Sequence, residues 1–236
     1  LALLTAGGTT ALGTLIALLA ERGPKRLARP LNGLALLPLI TPPFVVGLGL
    51  ILLFGRAGVV NQWLEAGFGI VPTRWFYGLF GVWLAQMFAF TPIAFMIMRG
   101  VVQGIGPSLE EAAQTLRANR RQTFFTITLP LLKPGLANAF LVGFIESMAD
   151  FGNPLVLGGN FNVLSTEIFF SVVGSQNDQG QAAVMAIILL AFTIGILAVA
   201  RPTATLTLPA DHMTLILGMD VSRSMLAEDV EPNRIQ

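Results

Sequence analysis

The chain has 236 residues, 54% of them hydrophobic and 11% charged, with a formal net charge of +1. Soluble globular domains carry about 25% charged residues, so this composition excludes that class and indicates a membrane protein. The absence of cysteine excludes a disulfide framework, a thiolate metal site and a cysteine nucleophile.

A membrane-crossing helix needs ~20 predominantly apolar residues. Five stretches meet that length, at about 1–20, 33–54, 77–98, 136–157 and 182–200. The chain opens on Leu1 inside the first run, so a preceding segment and a sixth span are expected. Gly7, Gly8 and Gly13 in the first span predict close helix packing. Residues 21–32 then hold Arg22, Lys25, Arg26 and Arg29 against Glu21. Prolines interrupt three spans: Pro38, Pro42 and Pro43 in the second, Pro92 in the third and Pro154 in the fourth. Such breaks serve either as plain kinks or as the lining of a transport pathway. In the loop 55–76, Val60, Trp63, Leu64 and Phe68 recur at helical spacing and predict a short interfacial helix. Trp75, Phe76 and Tyr77 read as an interfacial aromatic belt.

Residues 99–135 hold Arg99, Arg117, Arg120, Arg121 and Lys133 against Glu110 and Glu111, whereas Arg56 and Arg74 are the only cations of 55–76 and 158–181. The positive-inside rule therefore places 21–32 and 99–135 in the cytoplasm and the other two loops outside. Within the cytoplasmic segment, Ser108 and Glu111 have the spacing of a capping box. Leu109, Ala112, Ala113 and Leu116 fall at i, i+3, i+4 and i+7 and predict one small apolar face. A second short apolar pattern, Phe124, Phe125, Ile127 and Leu129, runs to Pro130, so two short helices meeting at a corner are expected.

This stretch resembles the EAA loop of binding-protein-dependent ABC importer permeases, E-A-A-x3-G-x9-I-x-L-P. Glu111, Ala112, Ala113, Ile127, Leu129 and Pro130 match at the full spacing, and Arg117 stands where the family has the corner glycine. The resemblance implies that Glu111, Ala112, Ala113, Arg117, Ile127, Leu129 and Pro130 form the docking loop for a cytoplasmic ATP-binding cassette ATPase.

The fourth span carries Glu146 and Asp150 at i, i+4, followed by Asn153. Counted from Pro134, the two carboxyls lie ~18 Å and ~24 Å along a helix. A carboxylate at the bilayer centre costs on the order of 2.5–3.5 kcal/mol, so these groups are expected to face protein or an aqueous cavity. Two readings remain open: an acidic lining of a cation route, with Glu146, Asp150 and Asn153 on the translocation path, or a hydrogen-bonded structural pair. Leu164 to Val173 beyond them predicts a short helix at the outer surface. Together with ITPPFVVGLGLILLFG at 40–55 and ADFGNPLVLGGNF at 149–161, this region is similar to the ferric-iron type of these permeases, over about residues 1–195.

The charge balance shifts near residue 200, from 11 Lys+Arg against 8 Asp+Glu before it to 3 against 5 after it. The segment 201–236 resembles the truncated start of a membrane-anchored von Willebrand factor A domain, with D-x-S-x-S at Asp220, Ser222 and Ser224. That likeness implies part of a Mg²⁺ site, complete only with ligands from later in such a fold. Thirty-six residues are too few to bury a core of their own, and His212 is assigned no role.

The fold expected is an all-α polytopic membrane bundle over 1–200, with a cytoplasmic two-helix coupling loop and a short, incomplete α/β tail over 201–236. The resemblance implies a transport subunit of the bacterial inner membrane rather than an enzyme, with no cofactor of its own, and ATP chemistry falls to the partner, since no G-x-x-x-x-G-K-[ST] occurs. Its implied partners are the ATPase, an extracytoplasmic substrate-binding protein, a second permease copy or half, and membrane lipid, with no nucleic acid. The alternative implied by the tail is a membrane-anchored, metal-dependent adhesion or scaffold protein.

Overall fold

Every element among the described residues, 1–174 and 178–200 of this computed structural model, is helical. In chain order these are α1 (Ala2–Arg22), α2 (Lys25–Leu36), a 3-10 turn (Leu37–Ile40), α3 (Pro43–Phe54), α4 (Val59–Phe68), α5 (Leu79–Gly104), α6 (Pro107–Thr115), α7 (Arg120–Thr123), a π-helical turn (Phe124–Thr128), α8 (Leu129–Ala149), α9 (Gly152–Leu157), α10 (Leu164–Val173) and α11 (Gln179–Ala200). Five stretches are long and apolar enough to cross a membrane: Ala2–Arg22, Pro43–Phe68, Leu79–Gly104, Arg120–Ala149 and Gln179–Ala198. The chain divides into two units, Leu1–Pro202 and Thr203–Gln236. The second lies outside the described residues, and with it His212, Asp220, Ser222, Ser224 and the expected α/β tail.

The helices expected at Val60–Phe68 and at 164–173 form as α4 and α10. The second span differs from its expected course. Helix starts already at Lys25, tightens to 3-10 geometry at Leu37, extends at Thr41 (φ −99°, ψ 131°) and Pro42 (φ −54°, ψ 137°), and restarts on Pro43. A residue preceding proline is pushed out of the helical region, and Thr41 and Pro42 both precede one. The other prolines behave differently: Pro92 sits inside an unbroken α5, and Pro154 falls in the first turn of α9.

The core is built where α1, α5 and α8 pack together around Ala17, Ala20, Ala94, Phe95, Met98, Val102, Leu132 and Ala139. Lipid tails are as apolar as leucine, so the association of such helices depends on close fit and polar contacts rather than on burial from water. The fit is tight. A Cβ on Gly13 would stand 2.7 Å from the Phe95 nitrogen, and one on Gly143 would stand 2.9 Å from Thr9 Oγ1. Gly7 does not share this role, since a Cβ there would meet nothing within 4 Å.

A second apolar cluster joins Leu50 of α3, Phe76, Val82 and Ala85 of α5, and Leu157 of α9. Phe76 is fully buried, which corrects its reading as a belt residue. The segment before α5 is drawn inward where Gly78 N–H donates to the Leu157 carbonyl at 2.8 Å. Trp75 remains partly exposed and packs edge-on against Phe54 and Phe76. Along α11, Ile187, Leu190 and Ile194 are exposed, which hydrocarbon tolerates and water does not.

Candidate functional site

The charged ends of α1 and α5, together with α6 and the start of α7, meet at one end of the bundle. α6 begins on Pro107, whose missing N–H would have lacked a helical partner in any case. Ser108 and Glu111 therefore lie within the helix rather than at its cap, no side-chain cap bond forms, and the expected capping box is absent. Ala113 is the buried residue of α6 and turns toward the bundle. Leu109, Glu111 and Ala112 are exposed, and Leu116 just beyond the helix is 83% exposed. Leu109, Ala112 and Leu116 thus form an outward apolar stripe, from which Ala113 is separated.

The corner follows at once. Arg117 has φ 62°, the one positive φ among the described non-glycine residues. Ala118 N–H donates to the Ala113 carbonyl at 3.0 Å and Arg117 N–H to the Gln114 carbonyl at 2.9 Å, the paired bonds of a Schellman motif. That motif favours glycine at the left-handed position, because a Cβ crowds the following carbonyl there at a cost of roughly 1–2 kcal/mol. Allowing for the added freedom glycine gives the unfolded chain, Arg117→Gly should stabilise the protein by about 0.5–1 kcal/mol. Thermal unfolding in detergent measures this, and Arg117→Ala, which keeps the Cβ, should bring no gain.

Asn119 then caps α7 by accepting from Gln122 N–H at 2.8 Å. An Asn directly before the basic run is a cap signal, and it is the one feature of the sequence that marks this start. The second short helix expected here is instead the start of the fourth span: α7, the π turn and α8 form one helical stretch, Arg120–Ala149. Pro130 cannot donate to the Thr126 carbonyl, and its ring crowds that group. The ladder widens accordingly, and Leu129 N–H bonds the Phe124 carbonyl five residues back. Ile127 and Leu129 are half-buried in this stretch and Pro130 is exposed. Arg121 lies over the Phe125 ring at 5.9 Å.

The fourth span also ends earlier than expected. α8 stops at Ala149, and Asp150 is its extended C-cap (φ −66°, ψ 116°), so Glu146 and Asp150 do not share one helical face. Asp150 is buried. Its carboxyl accepts from Gln86 Nε2 at 2.9 Å, from Asn153 Nδ2 at 3.0 Å and from Asn153 N–H at 3.3 Å, while its carbonyl accepts from Ser165 Oγ at 2.9 Å. Gln86 extends the network, since its Oε1 accepts from Thr5 Oγ1 at 2.8 Å and from Ser147 Oγ at 2.6 Å. Asn153 is fully buried with Oδ1 unpartnered, directed at the space a Cβ of Gly47 would occupy. Glu146 is half-buried and lines an open pocket of about 350 Å³ with Pro43, Phe44, Phe90, Asp150 and Phe151. Gln86 and Ser147 carried no motif, and only their polarity inside apolar runs marked them.

Residues 11–201 match the family described as binding-protein-dependent transport system inner membrane component. The chain is 48% identical over 188 residues to a putative ferric transport system permease protein, FbpB 1, of Haemophilus influenzae, covering 80% of this chain and 30% of that protein. It is 49% identical over 186 residues to the ferric transport system permease protein FbpB of Actinobacillus pleuropneumoniae, covering 79% and 27%. The molybdenum transport system permease protein ModB of Azotobacter vinelandii is 30% identical over 187 residues, covering 77% of this chain and 81% of that one. The chain thus spans less than a third of the length of the two ferric relatives. Among solved structures, a bacterial alginate ABC transporter in complex with its periplasmic protein superposes with a TM-score of 0.68 at 20% identity, over 81% of this chain and 70% of that one. Five apolar helices and the match over 11–201 agree, and the chain belongs to the family of binding-protein-dependent transport system inner membrane components.

Proposed function

We propose that this chain forms part of the permease of an ABC importer, receives its cargo from an extracytoplasmic binding protein, and is driven by a cytoplasmic ATPase docked on α6 and the Arg117 corner. The observation that carries the reading is α6 itself, a short helix at the charged end of the bundle with one buried residue and with Leu109, Glu111, Ala112 and Leu116 exposed around it. A helix covered on so little of its circumference suits insertion into a groove of a partner. Closure of the ATPase dimer would displace α6, and the packed helices would rock between outward and inward openings around a path shared with a second permease copy or half.

The relatives named for ferric transport support iron(III) as the cargo. The Glu146 carboxyl in the open pocket, with Asp150 also in its lining, is the candidate for a cationic route, while Asn153 is buried behind Asp150 and supports it by a hydrogen bond. Uptake by vesicles holding the complete transporter tests the reading. ATP-dependent iron(III) accumulation that requires the binding protein is the expected result. Accumulation of molybdate in its place would move the cargo to the other group of relatives, and uptake indifferent to ATP would overturn the proposal.

A further inference from the structure

Three helices end or begin within reach of Arg22, the last residue of α1. Its Nη2 donates to the carbonyl of Ile105, just past the end of α5, at 2.8 Å and stands 3.6 Å from Glu110 Oε1 on α6. The same Glu110 oxygen accepts from Thr128 Oγ1 at 3.2 Å, in the π turn that leads into α8. The neighbouring Glu21 reaches the other way, accepting from Arg99 Nε at 2.7 Å and Gln103 Nε2 at 3.0 Å, both on α5. Two successive side chains of α1 therefore fasten its end to α5 and to α6. The motif that names the docking loop begins one residue later, at Glu111, which is exposed.

α6 has nine residues and buries Ala113 alone, so apolar packing holds it weakly and Glu110 supplies its directional contacts. The side chains of Arg22 and Glu110 are 26% and 23% exposed, which leaves the pair only partly screened by solvent. We propose that the Arg22–Glu110 pair is the joint through which displacement of α6 is passed to α1 and α8, with both residues positioning the helix rather than touching the ATPase. Without it α6 remains tethered by the short connections at 105–106 and 116–119, and a push on α6 is absorbed there. The inference rests on α6 being the docking helix.

Its test uses the complete transporter with its ATPase and binding protein in lipid, comparing Arg22→Met, Glu110→Gln, the double variant and Arg22→Lys. ATPase capture should stay within about twofold of the unaltered permease, while hydrolysis stimulated by the binding protein falls at least about fivefold in each single variant. The double variant should fall by less than the product of the two single losses, because the shared contact is lost only once. Arg22→Lys, which keeps the cation, should retain most of the stimulation and shows that the fold survives change at this position. Unchanged stimulation in the single variants would overturn the joint alone. Loss of capture in Glu110→Gln but not in Arg22→Met would overturn it by placing Glu110 against the ATPase. Failure of the unaltered permease to capture an ATPase would overturn the docking reading and the joint with it.

Discussion

Gln86→Leu should lower the stability of the protein by about 3 kcal/mol, a loss expected where several buried polar groups are left short of partners at once. Gln86 is fully buried and bonds to α1 through Thr5 and to α8 through Ser147 and Asp150. Leucine fills a similar volume, so the loss is read as polar rather than as a cavity. It strands the Thr5 and Ser147 hydroxyls and removes one donor from Asp150, which keeps its two bonds from Asn153. Each stranded group costs about 1–3 kcal/mol when water cannot reach it. Adding Thr5→Val and Ser147→Ala to Gln86→Leu should recover part of the loss, because apolar groups in matched positions ask for no partner. Unfolding in mixed micelles measures both. Equal stability of Gln86→Leu and the unaltered protein would show that the network carries no weight.

The second large effect concerns the partner rather than the fold. On the proposed docking, Leu116→Asp should weaken ATPase capture about 100-fold, since burying a leucine contributes roughly 1.5–3 kcal/mol and an aspartate in the same groove would be left without its water. The residue is 83% exposed in the permease alone, so the same change should leave the permease's unfolding temperature where it was. Glu111→Arg should weaken capture as well, by setting a cation where the matched motif has a carboxylate. An intact affinity in both variants would remove α6 from the contact, even though the motif matches at its full spacing.

Much of this was legible in the sequence. Hydropathy located the first, third and fifth spans, cation asymmetry gathered 21–32 and 99–135 at one end, and the break in the motif falls at Arg117, the one left-handed non-glycine residue among those described. What escaped has a physical pattern. The prolines signal interruptions within spans, as kinks or as pathway lining, whereas Thr41-Pro42-Pro43 ends one helix and begins another. Asp150 looked like one more turn of α8, yet its side chain bonds the next helix and closes the first. Phe76 sits in an aromatic triplet that suits an interface, but it packs into the cluster of Leu50, Val82, Ala85 and Leu157, beside the Gly78–Leu157 backbone bond, and no local pattern shows those contacts. Glu110 was hidden by its neighbour, because the family motif names Glu111, and pairing with Arg22 spans 88 positions that no local pattern connects.

The docking reading is tested most directly by a photo-crosslinking amino acid placed at Leu116, with Ile187 of α11 as the control position. Both side chains are exposed in the permease, at 83% and 65%, but Leu116 adjoins α6 at the charged end and Ile187 lies along an apolar span. Irradiation of the assembled transporter should join position 116 to the ATPase and leave position 187 without a link to it. A permease that imports its cargo while position 116 yields no ATPase adduct would contradict the account.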